Sequence, residues 1–333
     1  MSIVRNMMVG VAVAGMMGLA ASGVALAEDG PIDWRITEAT EKTPEGHVKL
    51  HLRRITDSGG QMNSSNHFPL EMLEGLSQAD LNADSRRAVA FAIRREAGEL
   101  SCEGQASKGA GLGLCEFEAS VAFSDALVAR GLDTPKESEM FLLAMQDARI
   151  SLLDDMSAAG YDVPELDDFI ALVIHGVDGA YVQELASVDV RPDDLDDLLG
   201  FRIHGVTADF ARAVRGMGPG FADLDSEDLM AMRIHGVTPV VADEYAALGF
   251  DGLDPDELIA FRIHGVTPGF IRDMREIGYP EISADELIAF RIHGVSASYL
   301  EAFTSRGYAL PEPDKVVSMK IAGFDPRRMK EEN

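Results

Sequence analysis

Five histidines in the second half of the chain recur at nearly constant spacing, and imidazole side chains are common metal ligands and acid–base groups. They are His175, His204, His235, His264 and His293, separated by 29, 31, 29 and 29 residues, and each lies in the tetrapeptide Ile-His-Gly-Val. Equivalent positions of a repeat array align when the units stack. Such a row could hold metal, form a recognition surface, or occupy a structural position at a helix end.

Distance argues against a shared metal ion. Packed helices lie about 8–10 Å apart, whereas zinc needs ligand nitrogens about 2 Å away. No cysteine or regularly spaced acid completes a ligand set. A histidine in the last helical turn faces the negative end of the helix dipole, which favours the structural interpretation. We therefore predict no metal and no cofactor, and keep a recognition surface as the functional alternative.

A second basic row comes two residues before four of these histidines. It consists of Arg202, Arg233, Arg262 and Arg291, and Val173 takes this position in the first unit. We predict that these arginines pair with carboxylates at helix starts, such as Glu257, Asp285 and Glu286, although exposed pairs contribute little individually. The alternative is an arginine ladder that recognises an acidic partner. The histidines and arginines together are the candidate interaction row.

The residues around each tetrapeptide predict two short helices joined by a tight turn. In the clearest unit, Asp254 and Glu257 form a capping box, and Thr267 caps the second helix with Pro268 at its first position. Glycine ends the first helix in a left-handed conformation that costs it little. These turn glycines are Gly176, Gly205, Gly236, Gly265 and Gly294. The motif isoleucine is assigned to the core and the valine to the contact beside the turn.

The same spacing extends the array beyond its five obvious copies. Counting 29 residues back from Ile174 reaches Met145, and counting forward from Ile292 reaches Ile321, where Gly323 is kept and histidine is lost. Helices this short need burial against neighbouring units. We predict an α-solenoid of about seven two-helix units over 134–326 with degenerate ends, then a charged tail over 327–333.

Residues 28–133 follow a different pattern, which predicts a small, mainly antiparallel β domain and hence an α+β chain. Val48, Leu50 and Leu52 alternate with polar residues, as in a half-buried strand, and 88–93 is a second strand. Segments 68–73 and 76–81 indicate short helical turns. Ser124 is predicted to begin a short helix that Gly131 closes.

Cys102 and Cys115 are the only cysteines, and they flank a glycine-rich stretch. If the segments around them pair about Lys108 and Gly109, the two cysteines stand directly opposite each other. A disulfide is then expected in an oxidising compartment, with two buried free thiols as the alternative. Their spacing excludes a CxxC redox pair.

The β domain shows no catalytic set. His47 and His51 lie on one face of a strand as surface residues, and His67 is the remaining histidine. Asn63 begins a formal glycosylation sequon in a predicted polar loop. With no nucleophile motif, phosphate loop or metal cluster, the chain is predicted not to be an enzyme.

The first 27 residues read as a secretory signal. Arg5 precedes an apolar stretch over 7–26, and Ala-Leu-Ala at 25–27 fits a cleavage site; an uncleaved membrane anchor is the alternative. No later apolar run is long enough to cross a bilayer. The net charge of −27 disfavours nucleic acid and anionic membranes as partners. We expect a periplasmic or secreted protein.

Two resemblances follow from these residues. The unit Ile-His-Gly-Val-Thr-Pro-x-Phe resembles a helix-hairpin-helix, but the second glycine and nearby lysines of a DNA-binding turn are missing. The repeated Arg-Ile-His-Gly-Val-Thr-Pro units, with the hairpin segments 95–98 and 111–113, resemble the extracytoplasmic C-terminal region of some BlaR-like bacterial sensor peptidases. The His-Glu-x-x-His motif and membrane helices of that family's peptidase are absent from this sequence. The resemblance implies a bacterial periplasmic protein with a sensing or binding role.

We therefore predict a non-enzymatic interaction or sensing module whose partner is an unidentified protein or peptide. The alternative is a periplasmic ligand-binding protein, or an enzyme, that uses a pocket in the β domain.

Overall fold

The computed structural model describes residues 31–37, 40–55 and 60–328; the predicted signal and residues 329–333 of the predicted tail lie outside this part. The described residues form two compact units. The first contains the residues up to Phe91 together with Cys102–Glu116, and the second contains Ala92–Ser101 and the residues from Phe117 onward. An antiparallel sheet of six strands precedes a long series of helices, so the α+β class is confirmed.

The strands of the sheet are β1 (Ile32–Thr37), β2 (His47–Ile55), β3 (Gln61–Pro69), β4 (Arg87–Arg95), β5 (Gly98–Ser107) and β6 (Ala110–Ala119). Their order across the sheet is β3-β2-β1-β6-β5-β4. The predicted alternation in β2 is confirmed, because Val48, Leu50 and Leu52 are buried while their neighbours are more exposed. Neither β1 nor β3 was predicted, and β1 joins the two halves of the sheet by pairing with β2 and β6.

The predicted cysteine hairpin is confirmed. Lys108 and Gly109 connect β5 to β6 with φ angles of 53° and 81°, the backbone that a two-residue hairpin turn of matching twist requires. This turn places Cys102 opposite Cys115 with a Cα–Cα distance of 4.0 Å, and the two form a disulfide. No free cysteine remains.

The glycines of this hairpin make room for Trp34, which is only 2% exposed. A Cβ atom on Gly104 would lie 2.6 Å from the indole ring, and one on Gly113 would lie 2.5 Å from its nitrogen. The indole Nε1 donates to the carbonyl of Glu103 at 3.0 Å, and Phe91 packs edge-on against the ring. The glycine-rich composition therefore reflects close packing on an aromatic core as well as the turn.

Fifteen α-helices are present in the described residues. They are α1 (Gln78–Leu81), α2 (Val121–Ala129), α3 (Glu137–Met145), α4 (Ser151–Ala158), α5 (Leu166–Ile174), α6 (Gly179–Ala186), α7 (Leu195–His204), α8 (Ala208–Arg215), α9 (Ser226–His235), α10 (Pro239–Ala246), α11 (Pro255–His264), α12 (Pro268–Ile277), α13 (Ala284–Ile292), α14 (Ala297–Thr304) and α15 (Pro313–Ile321). Short 3-10 turns span Leu70–Met72, Pro219–Phe221 and Pro326–Arg328.

Two local predictions in the N-terminal part were wrong. Helix α2 begins one turn before Ser124, because the hydroxyl of Ser120 already caps it. The sequon at Asn63 lies within strand β3 opposite Arg53 rather than in a loop. The first error arose because Ser120 and Ser124 can both cap a helix, and the second because a polar side chain fits the solvent face of a strand as well as a loop.

From α3 onward the helices alternate between two kinds. The A helices are α3, α5, α7, α9, α11, α13 and α15, and the B helices are α4, α6, α8, α10, α12 and α14. Each A helix packs against the next A helix along the whole series. The predicted caps are present: Asp254 and Glu257 form a capping box, and the hydroxyl of Thr267 accepts from the amide of Phe270. The longer spacing between His204 and His235 accommodates the 3-10 turn Pro219–Phe221.

Candidate functional site

The motif isoleucines are exposed, which overturns their assignment to the core. Their side chains, together with that of Ile321 at the end of α15, are between 43% and 65% exposed. The set, named here the isoleucine row, is Ile174, Ile203, Ile234, Ile263, Ile292 and Ile321. By contrast, the motif valines, such as Val206 and Val266, are fully buried beside the turn, as predicted.

The helical period explains the exposure. In α11, Leu258 and Phe261 are buried, and they lie five and two residues before Ile263. Two residues of an α-helix turn the chain by about 200°, so Ile263 points away from the face that Phe261 buries. The same spacing holds in α7, α9 and α13, where the residue two before the motif isoleucine is Phe201, Met232 and Phe290 respectively, each fully buried.

An acidic residue precedes each member of the isoleucine row by seven positions. Seven residues are about two helical turns, so the acid lies on the same helical face, near the N-terminal end of the helix. This acidic row is Asp167, Asp196, Glu227, Asp256, Asp285 and Asp314, and all six are exposed. Between the two rows, four residues before the isoleucine, lie apolar side chains such as Leu199, Met230 and Ile259, which are half-buried. Each A helix from α5 to α15 therefore presents acid, aliphatic side chain and isoleucine in one order.

The packing of consecutive A helices brings these equivalent positions side by side. The electrostatics agree with this proximity. Burial is the main reason that the pKa of Asp197 on α7 lies above its usual range, and nearby carboxylates, including Glu227 on α9, raise it further. The pKa of Asp228 is raised by burial, then by Asp225 and by Asp256 on α11. Carboxylates of successive units thus repel one another along this edge.

The five motif histidines border the isoleucine row at the C-terminal ends of the A helices. His175, His204 and His293 are exposed, and His235 and His264 are half-buried. Within the described residues, no group of three or more His, Cys, Asp or Glu side chains could hold a metal ion. The turn that follows each histidine is left-handed at glycine, with φ between 66° at Gly236 and 77° at Gly176. His204, His235 and His264 are the last residues of their helices, and His175 and His293 directly follow theirs.

The arginine row has partners other than the predicted carboxylates. Three of its guanidinium groups donate from Nε to the carbonyl of the motif histidine in the preceding unit: Arg233 to His204 at 3.3 Å, Arg262 to His235 at 2.9 Å and Arg291 to His264 at 3.1 Å. Among the described residues, none of the four row arginines forms an ion pair with a carboxylate. Helix C-terminal carbonyls carry partial negative charge, so they compete well for an arginine that already lies beside them.

Aromatic rings of the B helices complete the arginine contacts. Arg202 lies over the ring of Tyr181, Arg233 over Phe210 and Arg291 over Phe270, with distances of 4.8 to 5.2 Å to the ring centroids. Such cation–π contacts add about 0.5–1 kcal/mol at exposed sites. Arg233, Arg262 and Arg291 therefore each connect their own A helix to the C-terminal end of the preceding A helix, which is a structural role.

The arginine row also explains a second requirement for the turn glycines. A Cβ atom at Gly205 would lie 3.3 Å from the guanidinium of Arg233, and one at Gly265 would lie 2.8 Å from that of Arg291. Glycine is needed both for the left-handed backbone and for the close approach of the next unit. The sequence pattern alone indicated only the first of these reasons.

No protein-family model, no curated protein and no solved structure matches this chain. In the described part of the chain, no single helix is long and apolar enough to span a membrane; α5 and α6 meet the length and composition limits only as a pair, which is bent by 84°.

Proposed function

We propose that this protein is a non-enzymatic, exported interaction module, in which stacked two-helix units form a solenoid that binds a segment of a partner protein. The binding surface is the isoleucine row with its adjoining acidic row. The partner segment carries apolar side chains that cover the isoleucines and lysine or arginine side chains that face the acids.

The exposure of six equivalent isoleucines is the observation that carries this proposal. Isolated exposed aliphatic side chains are ordinary on protein surfaces, whereas a contiguous series across packed helices marks an interaction site. Successive carboxylates beside that series favour a cationic partner and disfavour an anionic one. The arginine row is largely occupied by helix-end carbonyls and aromatic rings, so a ladder that recognises an acidic partner has little support.

Two further points support export and a sensing role. A disulfide between Cys102 and Cys115 is typical of proteins that mature in an oxidising compartment. The resemblance of the repeats to the extracytoplasmic region of BlaR-like sensors fits a module that binds a partner outside the cytoplasm.

A synthetic amphipathic helix of leucine and lysine serves as the probe, and its binding is measured by fluorescence anisotropy. Each isoleucine leaves about half of its side chain to be covered, which corresponds to about 1 kcal/mol, or about fivefold in affinity, per residue. The triple variant Ile234→Ser, Ile263→Ser, Ile292→Ser is therefore expected to weaken binding by about 100-fold.

The matched apolar control is Val240→Ser, because Val240 is 67% exposed on a B helix, away from the isoleucine row. The matched charge comparison uses two double variants. One removes two charges of the acidic row (Glu227→Gln with Asp256→Asn), and the other removes two charges on α10 (Asp243→Asn with Glu244→Gln). Only the first pair should weaken binding and reduce its salt dependence.

Equal losses from row and control variants would show general charge attraction and refute the proposed surface. Equal binding of a peptide in which glutamate replaces lysine would also refute the proposed surface, because the acidic row would then not contribute to recognition. A dimer that the triple variant dissociates, detected by sedimentation, would mean that a second copy of the chain occupies the row instead of a basic partner.

A further inference from the structure

A cleft in the first compact unit lies at one end of its strands and has a volume of about 730 Å³. Thr37 at the end of β1, Lys49 near the start of β2 and Ser107 at the end of β5 all line it. This volume falls within the range of small-molecule sites, about 300–1,000 Å³. The A and B helices contribute nothing to it, so it is separate from the surface proposed above.

The charge of the cleft is opposite to that of the protein. Four basic side chains line it, Arg35, Lys42, Lys49 and Arg86, and no described lining residue is acidic. None of the four forms an ion pair with any carboxylate in the described ranges. The chain as a whole has a net charge of −27, so a cluster of cations that no described carboxylate pairs with requires an explanation.

Strand register brings part of this cluster together. Arg35 on β1 stands opposite His51 on β2, and Lys49 on β2 stands opposite His67 on β3. Directly opposed residues share a face of the sheet, with their Cβ atoms about 4.5–5.5 Å apart. The pKa of His51 is lowered, first by burial and then by the charges of Lys49 and Arg35. The contribution of these two charges to the pKa of His51 agrees with their positions on the same face of the sheet.

The rest of the lining combines hydroxyl groups with apolar surface. Thr37, Thr40 and Thr43 offer hydroxyl donors, and Leu112, which is 63% exposed opposite Arg35, forms an apolar wall. Cations with hydroxyl donors suit an oxyanion such as a carboxylate or a phosphate ester. An exposed leucine beside them suits an aliphatic group attached to that oxyanion.

We propose that this cleft binds a small amphipathic organic anion, whose carboxylate or phosphate group contacts Arg35, Lys49 and Arg86 while its aliphatic part lies against Leu112. This assigns the β-rich unit a ligand site of its own, independent of the partner surface on the helices.

Isothermal titration of the purified protein with octyl phosphate, below its micelle concentration, tests the proposal. Octyl glucoside is the uncharged comparison and inorganic phosphate is the comparison without an aliphatic chain. We expect saturable binding of octyl phosphate only, weakened at least tenfold by Arg35→Gln combined with Lys49→Gln. Arg86→Gln, outside the strands, should weaken it as well, and this variant keeps the test valid if the double variant folds poorly.

Arg87→Gln is the matched control. Arg87 is adjacent to Arg86 in sequence but lies outside the cleft and near Asp80, so its loss should leave binding unchanged. Absence of saturable binding up to about 1 mM, or equal binding of octyl glucoside, would overturn the proposal. Equal binding of inorganic phosphate would overturn its amphipathic part. Self-association that the Arg86→Gln variant abolishes would overturn it in favour of an acidic surface of a second copy.

Discussion

Two turn glycines allow the contribution of the contacts that Arg291 makes with the preceding helix end, called here the arginine latch, to be measured separately from backbone strain. Gly265 and Gly294 have nearly identical φ angles, 69° and 68°, and equivalent hydrogen bonds follow them: Val266 N–H donates to Phe261 and Val295 N–H to Phe290, each at 2.8 Å. Their surroundings differ. An alanine Cβ at 265 would lie 2.8 Å from Nη2 of Arg291, whereas at 294 the nearest neighbouring atom would be 4.0 Å away, on Lys320.

The expected costs follow from this difference. Gly294→Ala should lose about 1–2 kcal/mol, the cost of a left-handed conformation in a residue with a Cβ atom. Gly265→Ala should lose this amount and about 1 kcal/mol more, because the guanidinium of Arg291 must move from the carbonyl of His264 and the ring of Phe270. The additional loss is small because Arg291 is exposed, and exposed cation–π contacts and hydrogen bonds contribute less than buried ones.

Native-state amide exchange is the suitable assay, because a long series of short packed helices can open locally without global unfolding. Protection at Val266 in Gly265→Ala should fall about fivefold further than protection at Val295 in Gly294→Ala. In an Arg291→Ala background the two glycine substitutions should become equal. Equal losses in the wild-type background, or an excess that persists without Arg291, would refute the latch.

Two pH- and salt-dependent predictions concern the second compact unit. Burial raises the pKa of Tyr181 to about 12, so its contribution to stability is complete below pH 10 and is lost as pH rises from 10 towards 12. Tyr181→Phe should therefore reduce the fall of the urea midpoint between pH 10 and pH 12. An unchanged fall would contradict the assignment of this loss to Tyr181. Burial and the carboxylates of Asp225 and Asp256 raise the pKa of Asp228. Its ionised form is therefore destabilised in the folded state. Stability decreases as pH rises from the pKa of Asp228 in the unfolded state through its higher pKa in the folded state. Asp228→Asn should therefore raise the urea midpoint at pH 7 in low salt, and the gain should shrink in 0.5 M NaCl because salt screens the repulsion; a gain that is independent of salt and pH would exclude a charge effect.

Local sequence signals predicted the parts of the fold that depend on neighbouring residues. Asp254 and Thr267 identified helix starts, Gly265 identified a helix end, and Lys108 with Gly109 identified the hairpin turn. Strand β3 escaped because it is an edge strand that pairs only with β2 and buries only Phe68. Strand β1 was missed although Ile32, Trp34 and Ile36 alternate with polar residues. The six-stranded sheet therefore depends on register that alternation alone does not reveal.

The position of the motif isoleucine was predictable from the sequence, and the error in assigning it is instructive. Isoleucine is among the most frequently buried residues, so composition suggested the core. The helical period contradicts this, since Ile263 follows the buried Phe261 by two residues and must lie on nearly the opposite face. Periodicity should therefore outweigh residue type whenever a helix also offers a large aromatic side chain for burial.

The arginine contacts and the basic cleft could not be predicted in this way, because each depends on chain segments that no local pattern connects. The acceptor for Arg291 is the backbone carbonyl of His264, and a carbonyl leaves no signature in side-chain sequence; only the offset between stacked helices makes it the nearest acceptor. Likewise, Arg35 and Lys49 converge because β1 pairs with β2, a register set by the apolar residues on the opposite face of the sheet. The arginine contacts and the basic cleft therefore both depend on long-range packing. Substitutions that preserve local propensity but shift the helix packing should abolish the arginine contacts, and those that shift the strand register should abolish the cleft.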